Sequence, residues 1–271
     1  MKFTCLIPTY NNGAMIGAAI ESILAQTHAN FELFIVCDGA PTITHEIADR
    51  FARGDSRVRT FKFAKGERHG EASRHRALQE ATGDAVCYLS DDDCWFPDHL
   101  QIMMDLLASA DFAHTRHTFL KPTYEFSSIL TQLVDPATRE RMCSEKFNIM
   151  GPSVVGHLTS AYRRLPEPWA PAPAAVPTDL HMWRKWIRAP KVRFASSKAI
   201  TTLHIPRSVR AEQDYDTGLR ETNFWRINFR DPAMRAALRE LMSGETTDMP
   251  AGRVALRANE IRRTQASETR S

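Results

Sequence analysis

The run F-T-C-L-I-P (3–8), followed by T-Y-N-N-G (9–13), sets the architecture. Its apolar residues are continuous rather than alternating, the mark of a strand buried on both faces, and Pro8 closes it. The N-N-G that follows is a turn, with Asn11 and Asn12 as candidate helix caps. The next segment puts Ile16, Ile20, Ile23 and Leu24 on one helical face. Outward from this unit the same alternation repeats. ELFIVCD (32–38) is a second buried strand, and residues 43–52 form a helix with Ile43, Ile47 and Phe51 turned inward. VRTFKF (58–63) alternates as a half-exposed strand, residues 71–82 are a helix ended by Gly83, and AVCYLS (85–90) is a further strand. Pro97 opens a helix that runs to Ser109. Strands alternating with helices predict parallel pairing through right-handed crossovers, an α/β doubly wound sheet. Ligands of such sheets bind beyond the carboxyl ends of the strands. Three of those ends carry chemistry: Thr9-Tyr10-Asn11, Asp38-Gly39 and Ser90-Asp91-Asp92-Asp93.

Past residue 110 the alternation fades. FAHTRHTFL (112–120) is strand-like, and Pro166, Pro168, Pro171, Pro173 and Pro177 around Trp169 predict a mobile surface loop. TDLHMWRKWI (178–187) is helical, KVRFAS and AITTLHI are strand-like, and the polar, Arg-rich tail from Ser243 is expected as a frayed helix or disorder. The chain of 271 residues, 43% hydrophobic and 25% charged, is of ordinary globular composition, which excludes a disordered, collagenous or coiled-coil chain. It has no apolar stretch of about 18 residues for a membrane helix, and its N-terminus lacks the apolar region of a signal peptide. The net charge of +3, without a basic stripe interleaved with aromatics, argues against a nucleic-acid partner. Five cysteines without CxxC spacing argue against structural zinc and predict a cytoplasmic protein. Peripheral attachment at the inner membrane face through the Arg-rich tail stays open.

Three successive carboxylates after a buried strand repel one another. A divalent cation that shares oxygens with a diphosphate relieves the repulsion; the alternative is a solvated loop in which Asp91 caps the next turn. The adjoining W-F-P-D-H-L fixes the carboxylates between a strand and a Pro-started helix. Asp38, in C-D-G, can accept from a ring N–H while Gly39 allows close backbone approach, or it forms an Asx-turn. Tyr10 can stack on a base or pack at the sheet edge. Arg74 and Arg76 lie on the helix of residues 71–82, whose start faces the same crevice, where an arginine pairs with phosphate. A solvated helix face is the alternative, above all for Arg76.

LIPTYNN (6–12), FELFIVCDG (31–39), EASRHRAL (71–78) and YLSDDDCWFPDHL (88–100), in that order, resemble the inverting glycosyltransferases of family 2. These have the GT-A fold, a Rossmann-like, mostly parallel sheet flanked by helices. The resemblance covers residues 1–110 well and the remainder loosely. It implies a nucleotide-sugar-binding half (1–110), a variable acceptor-binding and base-bearing half (111–210) and a C-terminal helical extension with a flexible tail (211–271). It further implies that Thr9, Tyr10 and Asp38 hold a base, usually uracil, together with Pro8, Asn11 and Gly39. Arg74 lies near the base or phosphates, Asp91 contacts the ribose, and Asp92 with Asp93 binds Mn2+ or Mg2+ on the diphosphate. Asp179, in P-T-D-L-H-M-W, is then the base that takes the proton of the acceptor hydroxyl, although Asp179 or Thr178 could simply cap the helix. His204 matches a late histidine metal ligand or is structural, His157 lines the acceptor side, and Trp169 belongs to a lid over it. Partners implied are a UDP-sugar donor and a sugar, lipid-linked or other hydroxyl acceptor, in glycan or polysaccharide synthesis.

The chain departs from the family pattern at Ser90, Cys37 and Thr178, where acids are usual. A non-catalytic nucleotide-sugar-binding protein of the same fold is therefore a rival. A sugar nucleotidyltransferase needs a Gly-rich first loop and finds only Gly13, and a Rossmann oxidoreductase needs G-x-G-x-x-G, which is missing.

Overall fold

The computed structural model describes residues 1–205, 209–210, 212–243 and 248–268. The first half contains β1 (Phe3–Thr9), α1 (Ile16–Leu24), β2 (Phe31–Asp38), α2 (Thr42–Gly54), β3 (Val58–Phe63), α3 (Glu71–Leu78), β4 (Ala85–Tyr88), β5 (Asp93–Trp95) and α4 (His99–Leu107). The second half contains β6 (Phe112–Leu120), β7 (Glu125–Ser127), α5 (Pro136–Ser144), β8 (Val155–Leu158), α6 (Thr159–Tyr162), α7 (Thr178–Arg188) and β9 (Phe194–His204). Helices α8 (Tyr215–Asn228) and α9 (Pro232–Leu241), the short β10 (Met249–Pro250) and α10 (Ala251–Glu268) follow.

The expected unit is present. β3, β2, β1 and β4 lie side by side in that order, all parallel. β1 and β2 are buried along nearly their whole length, as their unbroken apolar runs require. From β4 outward the sheet turns mixed: β8 is antiparallel to both β4 and β6, while β9 runs parallel to β6 and carries β5 antiparallel. The stretches KVRFAS and AITTLHI therefore belong to one strand, whose register against β6 shifts between His114 and His117. Alternate strand residues feed two cores. Cys5, Ile7, Leu33 and Ile35 pack under α1, α2 and α4, and Leu6, Phe34, Val36 and Tyr88 pack under α3 and α7. A third core joins α8, α9 and α10 to β9.

Several local expectations change. Neither Asn11 nor Asn12 caps α1, because a 3-10 turn over Gly13–Met15 intervenes. Ile43 is exposed while Ile47 is buried and Phe51 half-buried. The helix from residue 71 ends at Leu78, and Pro97 precedes rather than starts α4. Within the tail, residues 251–268 form α10, whose Val254 and Ala258 are fully buried in the third core; residues 244–247 and 269–271 of that stretch lie outside the described residues.

Two acceptor-side assignments are overturned here. His157 is fully buried; its Nε2 meets the Tyr88 hydroxyl at 2.7 Å and its ring stacks on Tyr162. Burial drives its pKa down to about 3, so it is a neutral core residue. Trp169 is 2% exposed despite its five flanking prolines. Its indole N–H donates to Tyr88 and its backbone N–H to Tyr162. The apolar ring outweighs the turn chemistry around it, and the Pro-rich segment is pinned to the core at this point. Trp169→Ala is expected to cost about 3–5 kcal/mol in urea unfolding; a loss below about 1 kcal/mol contradicts this anchoring role.

Candidate active site

The order β3-β2-β1-β4 reverses direction between β1 and β4, and a doubly wound sheet opens a crevice at that point. A cleft of about 540 Å³ lies there, at the carboxyl ends of both strands. Of the residues expected to bind nucleotide, Pro8, Thr9, Tyr10, Asn11, Asp38, Arg74 and Asp91 all line it, and so do Asp92 and Asp179. Tyr10 is 53% exposed at the lip, with the Lys65 ammonium 5.3 Å from its ring centre, so it is not packed at the sheet edge. Gly39 does not line the cleft. Its φ of +71° and the Lys65 Cβ, 2.5 Å from where a side chain would begin, show that its close approach is to Lys65.

The three carboxylates differ in what surrounds them. Asp91 is buried and accepts a hydrogen bond from the Asn12 side chain. Burial raises its pKa, and the neighbouring Thr9 hydroxyl and Asn12 amide pull it partly back. Asp93 is held by the Ser153 hydroxyl and by His204 Nδ1. That pair follows from register, because Asp93 of β5 stands directly opposite His204 of β9. Burial opposes the His204 imidazolium, but Asp93 and then Asp92 outweigh it and raise its pKa to about 9. Asp92 has no comparable partner. Burial, then Asp93 and Asp91, push it up to about 7, with His204 and a backbone hydrogen bond counteracting. The ligand atoms of Asp92, Asp93 and His204 lie within 4.8 Å of one another. Two carboxylates and an imidazole, one carboxylate left unneutralised, suit a divalent cation.

Asp38 is buried and fully engaged. It accepts from Lys65 Nζ (2.7 Å), the Gly66 N–H (3.0 Å) and the Ser73 hydroxyl (2.8 Å). Burial alone would raise its pKa; these donors hold it below the usual carboxylate range. Its contacts bind β2 to the loop that carries Lys65, Arg68 and His69 along the cleft. Arg74, on the face of α3 that meets this loop, is 7% exposed and lies 4.7 Å over the Trp169 ring. Its Nη2 donates to the His69 carbonyl, whereas Nε and Nη1 have no partner. A buried guanidinium with two unused donors is suited to an anion. Arg76 is exposed over Phe63, on the solvated face.

Asp179 sits in the first turn of α7 on the cleft wall. Neither it nor Thr178 caps the helix; Pro177 holds the cap position. Burial raises the Asp179 pKa, with Arg74 and His69 acting against it. Sequence reasoning missed Glu71, which is fully buried at the start of α3. It accepts from the Thr178 hydroxyl (2.9 Å) and the His69 N–H (2.9 Å), tying the start of α7 to the Arg74 helix. It also missed Tyr215, whose hydroxyl receives the Met15 N–H and donates to the Asn12 carbonyl, bracing the first loop from α8. A buried acid 107 residues from its partner leaves no local sequence signal, although the E-A-S-R-H-R-A-L segment was already singled out.

The sequence model of glycosyl transferase family 2 matches residues 4–158, and the chain belongs to that family. Among curated relatives, a protein of Escherichia coli named UDP-Glc:alpha-D-GlcNAc-diphosphoundecaprenol beta-1,3-glucosyltransferase is 28% identical over 48% of this chain and 50% of its own length. The chain aligns with 17 to 50% of the length of such relatives. In fold it is similar to Staphylococcus aureus TarS in complex with UDP-GlcNAc, at a TM-score of 0.55, 16% identity, and 76% coverage of this chain against 59% of the other. It is likewise similar to a Pyrobaculum calidifontis mannosyltransferase in complex with GDP-Man and Mn2+, at 0.55, 17%, 95% and 68%. These neighbours identify the fold as GT-A.

Asp92→Asn removes a crowded charge and a cation ligand together. It is expected to raise the melting temperature of the metal-free protein at pH 7.5 and to abolish the further rise that Mn2+ gives the unaltered protein. An unchanged response to Mn2+ contradicts the assignment.

Proposed function

We propose that this protein transfers a sugar from a nucleotide-diphosphate donor, with inversion, to the hydroxyl of a sugar or lipid-linked acceptor in glycan or polysaccharide synthesis. The observation that carries the reading is the convergence, on one cleft at the switch point of the sheet, of Asp91, Asp92, Arg74 with its unused donors, and Asp179. UDP is the assigned nucleotide, supported by the E. coli relative named for UDP-Glc and the S. aureus neighbour holding UDP-GlcNAc. The mannosyltransferase neighbour, with GDP-Man, makes GDP the control.

In this reading Tyr10 covers the base, Asp38 keeps the Lys65–Gly70 loop beside it, and Asp91 receives the ribose hydroxyls. Asp92, Asp93 and His204 would hold Mn2+ or Mg2+, which supplies positive charge to the diphosphate when bound. Arg74 turns Nε and Nη1 to the phosphate oxygens. The acceptor oxygen attacks the anomeric carbon and its proton passes to the Asp179 carboxylate. The bond to the diphosphate breaks, with its electron pair leaving on the phosphate oxygen, and Arg74 meets that developing charge. A single displacement at one face inverts the centre. Glu71 holds the start of α7, and hence Asp179, in place.

Asp179 must be ionised to act, and burial raises its pKa, so activity is lost as pH falls through a value above the ordinary carboxylate pKa of about 3.9. Asp179→Asn is expected to lower turnover of UDP-sugar by at least about a hundredfold while UDP binding stays nearly unchanged. Turnover at the unaltered rate contradicts the base assignment.

A further inference from the structure

Trp169 does not line the nucleotide cleft, yet the guanidinium of Arg74, which does, lies 4.7 Å over its ring. A directed chain of donors fixes that ring. His157 is neutral and its Nδ1 meets the Leu158 carbonyl at 3.2 Å, which assigns the proton to Nδ1 and leaves Nε2 as an acceptor. The Tyr88 hydroxyl therefore donates to His157 Nε2, at 2.7 Å, and accepts from the indole N–H of Trp169, at 3.0 Å. Tyr88 and Trp183 stand edge-on to the indole, at interplanar angles of 75° and 72°. An aromatic face attracts a guanidinium without using up its N–H groups. Of those groups Nη2 donates to the His69 carbonyl at 2.9 Å, and Nε and Nη1 have no partner. The Arg74 charge reaches two acids, Glu71 on its own helix and Asp179 on α7, and none of its donors is bonded to either. Carboxylates within reach draw an arginine into forked hydrogen bonds. Here the Trp169 face and the His69 carbonyl hold it apart from them.

We propose that Trp169 is the positioning residue of Arg74: its aromatic face holds the guanidinium toward the donor diphosphate and away from Glu71 and Asp179. The inference rests on the glycosyl-transfer reading, in which Arg74 meets the diphosphate, and it gives the Pro-rich segment a part in donor binding. Trp169 touches no substrate in this role; it acts from behind the cleft wall. Without the ring, Arg74 swings onto a carboxylate, and the nucleotide must draw it back and order it as it binds.

The test is a double-mutant cycle on the full chain, with UDP binding in Mn2+ read by calorimetry and folding checked by thermal melting. Trp169→Leu keeps apolar bulk and removes the aromatic face. It is expected to weaken UDP about threefold to tenfold, the worth of ordering one long side chain. Trp169→Phe loses the same indole N–H but keeps a ring, and is expected to stay within about twofold of the unaltered protein. Arg74→Gln is expected to weaken UDP at least about tenfold. In that background Trp169→Leu is expected to change UDP affinity by less than about twofold, because the group it positions is gone. A general loss of packing would instead act equally in both backgrounds. Equal weakening by Trp169→Leu with and without Arg74 overturns the positioning role. So does UDP affinity that Trp169→Leu or Arg74→Gln leaves unchanged, or a Trp169→Phe protein as weak as Trp169→Leu. If neither tryptophan variant folds, nitrogen-15 spectra of the unaltered protein decide. The Arg74 side-chain signal, assigned by its loss in Arg74→Gln, is expected upfield under the indole ring current, and a signal among those of solvated arginines overturns the role. Absence of any UDP or GDP binding in the unaltered protein overturns the glycosyl-transfer reading itself, and this role with it.

Discussion

Three carboxylates in succession at the end of a buried parallel strand cannot all be ionised without compensation, and the architecture of the site follows from how each is compensated. Asp91 is turned to the first loop, where Asn12 donates to it. Asp93 is turned the other way, to His204, by an antiparallel pairing that brings together residues 111 positions apart. Asp92 is left between them with its pKa driven up to about 7. The arrangement places one uncompensated charge where a cation and a diphosphate would meet.

The surrounding elements brace this centre from the outside. α8 reaches the first loop through Tyr215, whose contacts with Asn12 and Met15 fix the backbone that presents Asn12 to Asp91. Gly13 has a φ of +47°, and a side chain there would begin 3.1 Å from the Tyr215 hydroxyl, so the loop and the C-terminal helix require each other. On the opposite wall Glu71 links α3 to α7, so that Arg74 and Asp179 are held by one buried acid. Helix α8 thus braces one wall of the cleft, although it lies far from it in sequence.

The parallel half of the fold was legible because its signals are local. A continuous apolar run, a helical stripe and a polar strand end each lie within a dozen residues. The same locality located Asp91, Asp92 and Arg74, and the family resemblance supplied Asp179; all four line the cleft. What stayed hidden depends on distant partners. Nothing near His157 shows that Tyr88 and Tyr162 will enclose it, and nothing near Trp169 shows that its indole outweighs five prolines. Asp38 lines the cleft, but nothing in the sequence shows its three internal donors, two of them from a loop 27 and 28 residues away. His117 gave no signal at all, since a ring nitrogen left without a partner is defined only by the residues packed around it.

The central claim is that the carboxylate cluster and the cleft form one metal-dependent nucleotide-diphosphate site. Calorimetric titration of UDP in Mn2+, repeated in EDTA and with GDP as control, tests it most directly. The account predicts binding that favours UDP and disappears with EDTA. Binding of equal strength in EDTA, or none to either nucleotide, contradicts it.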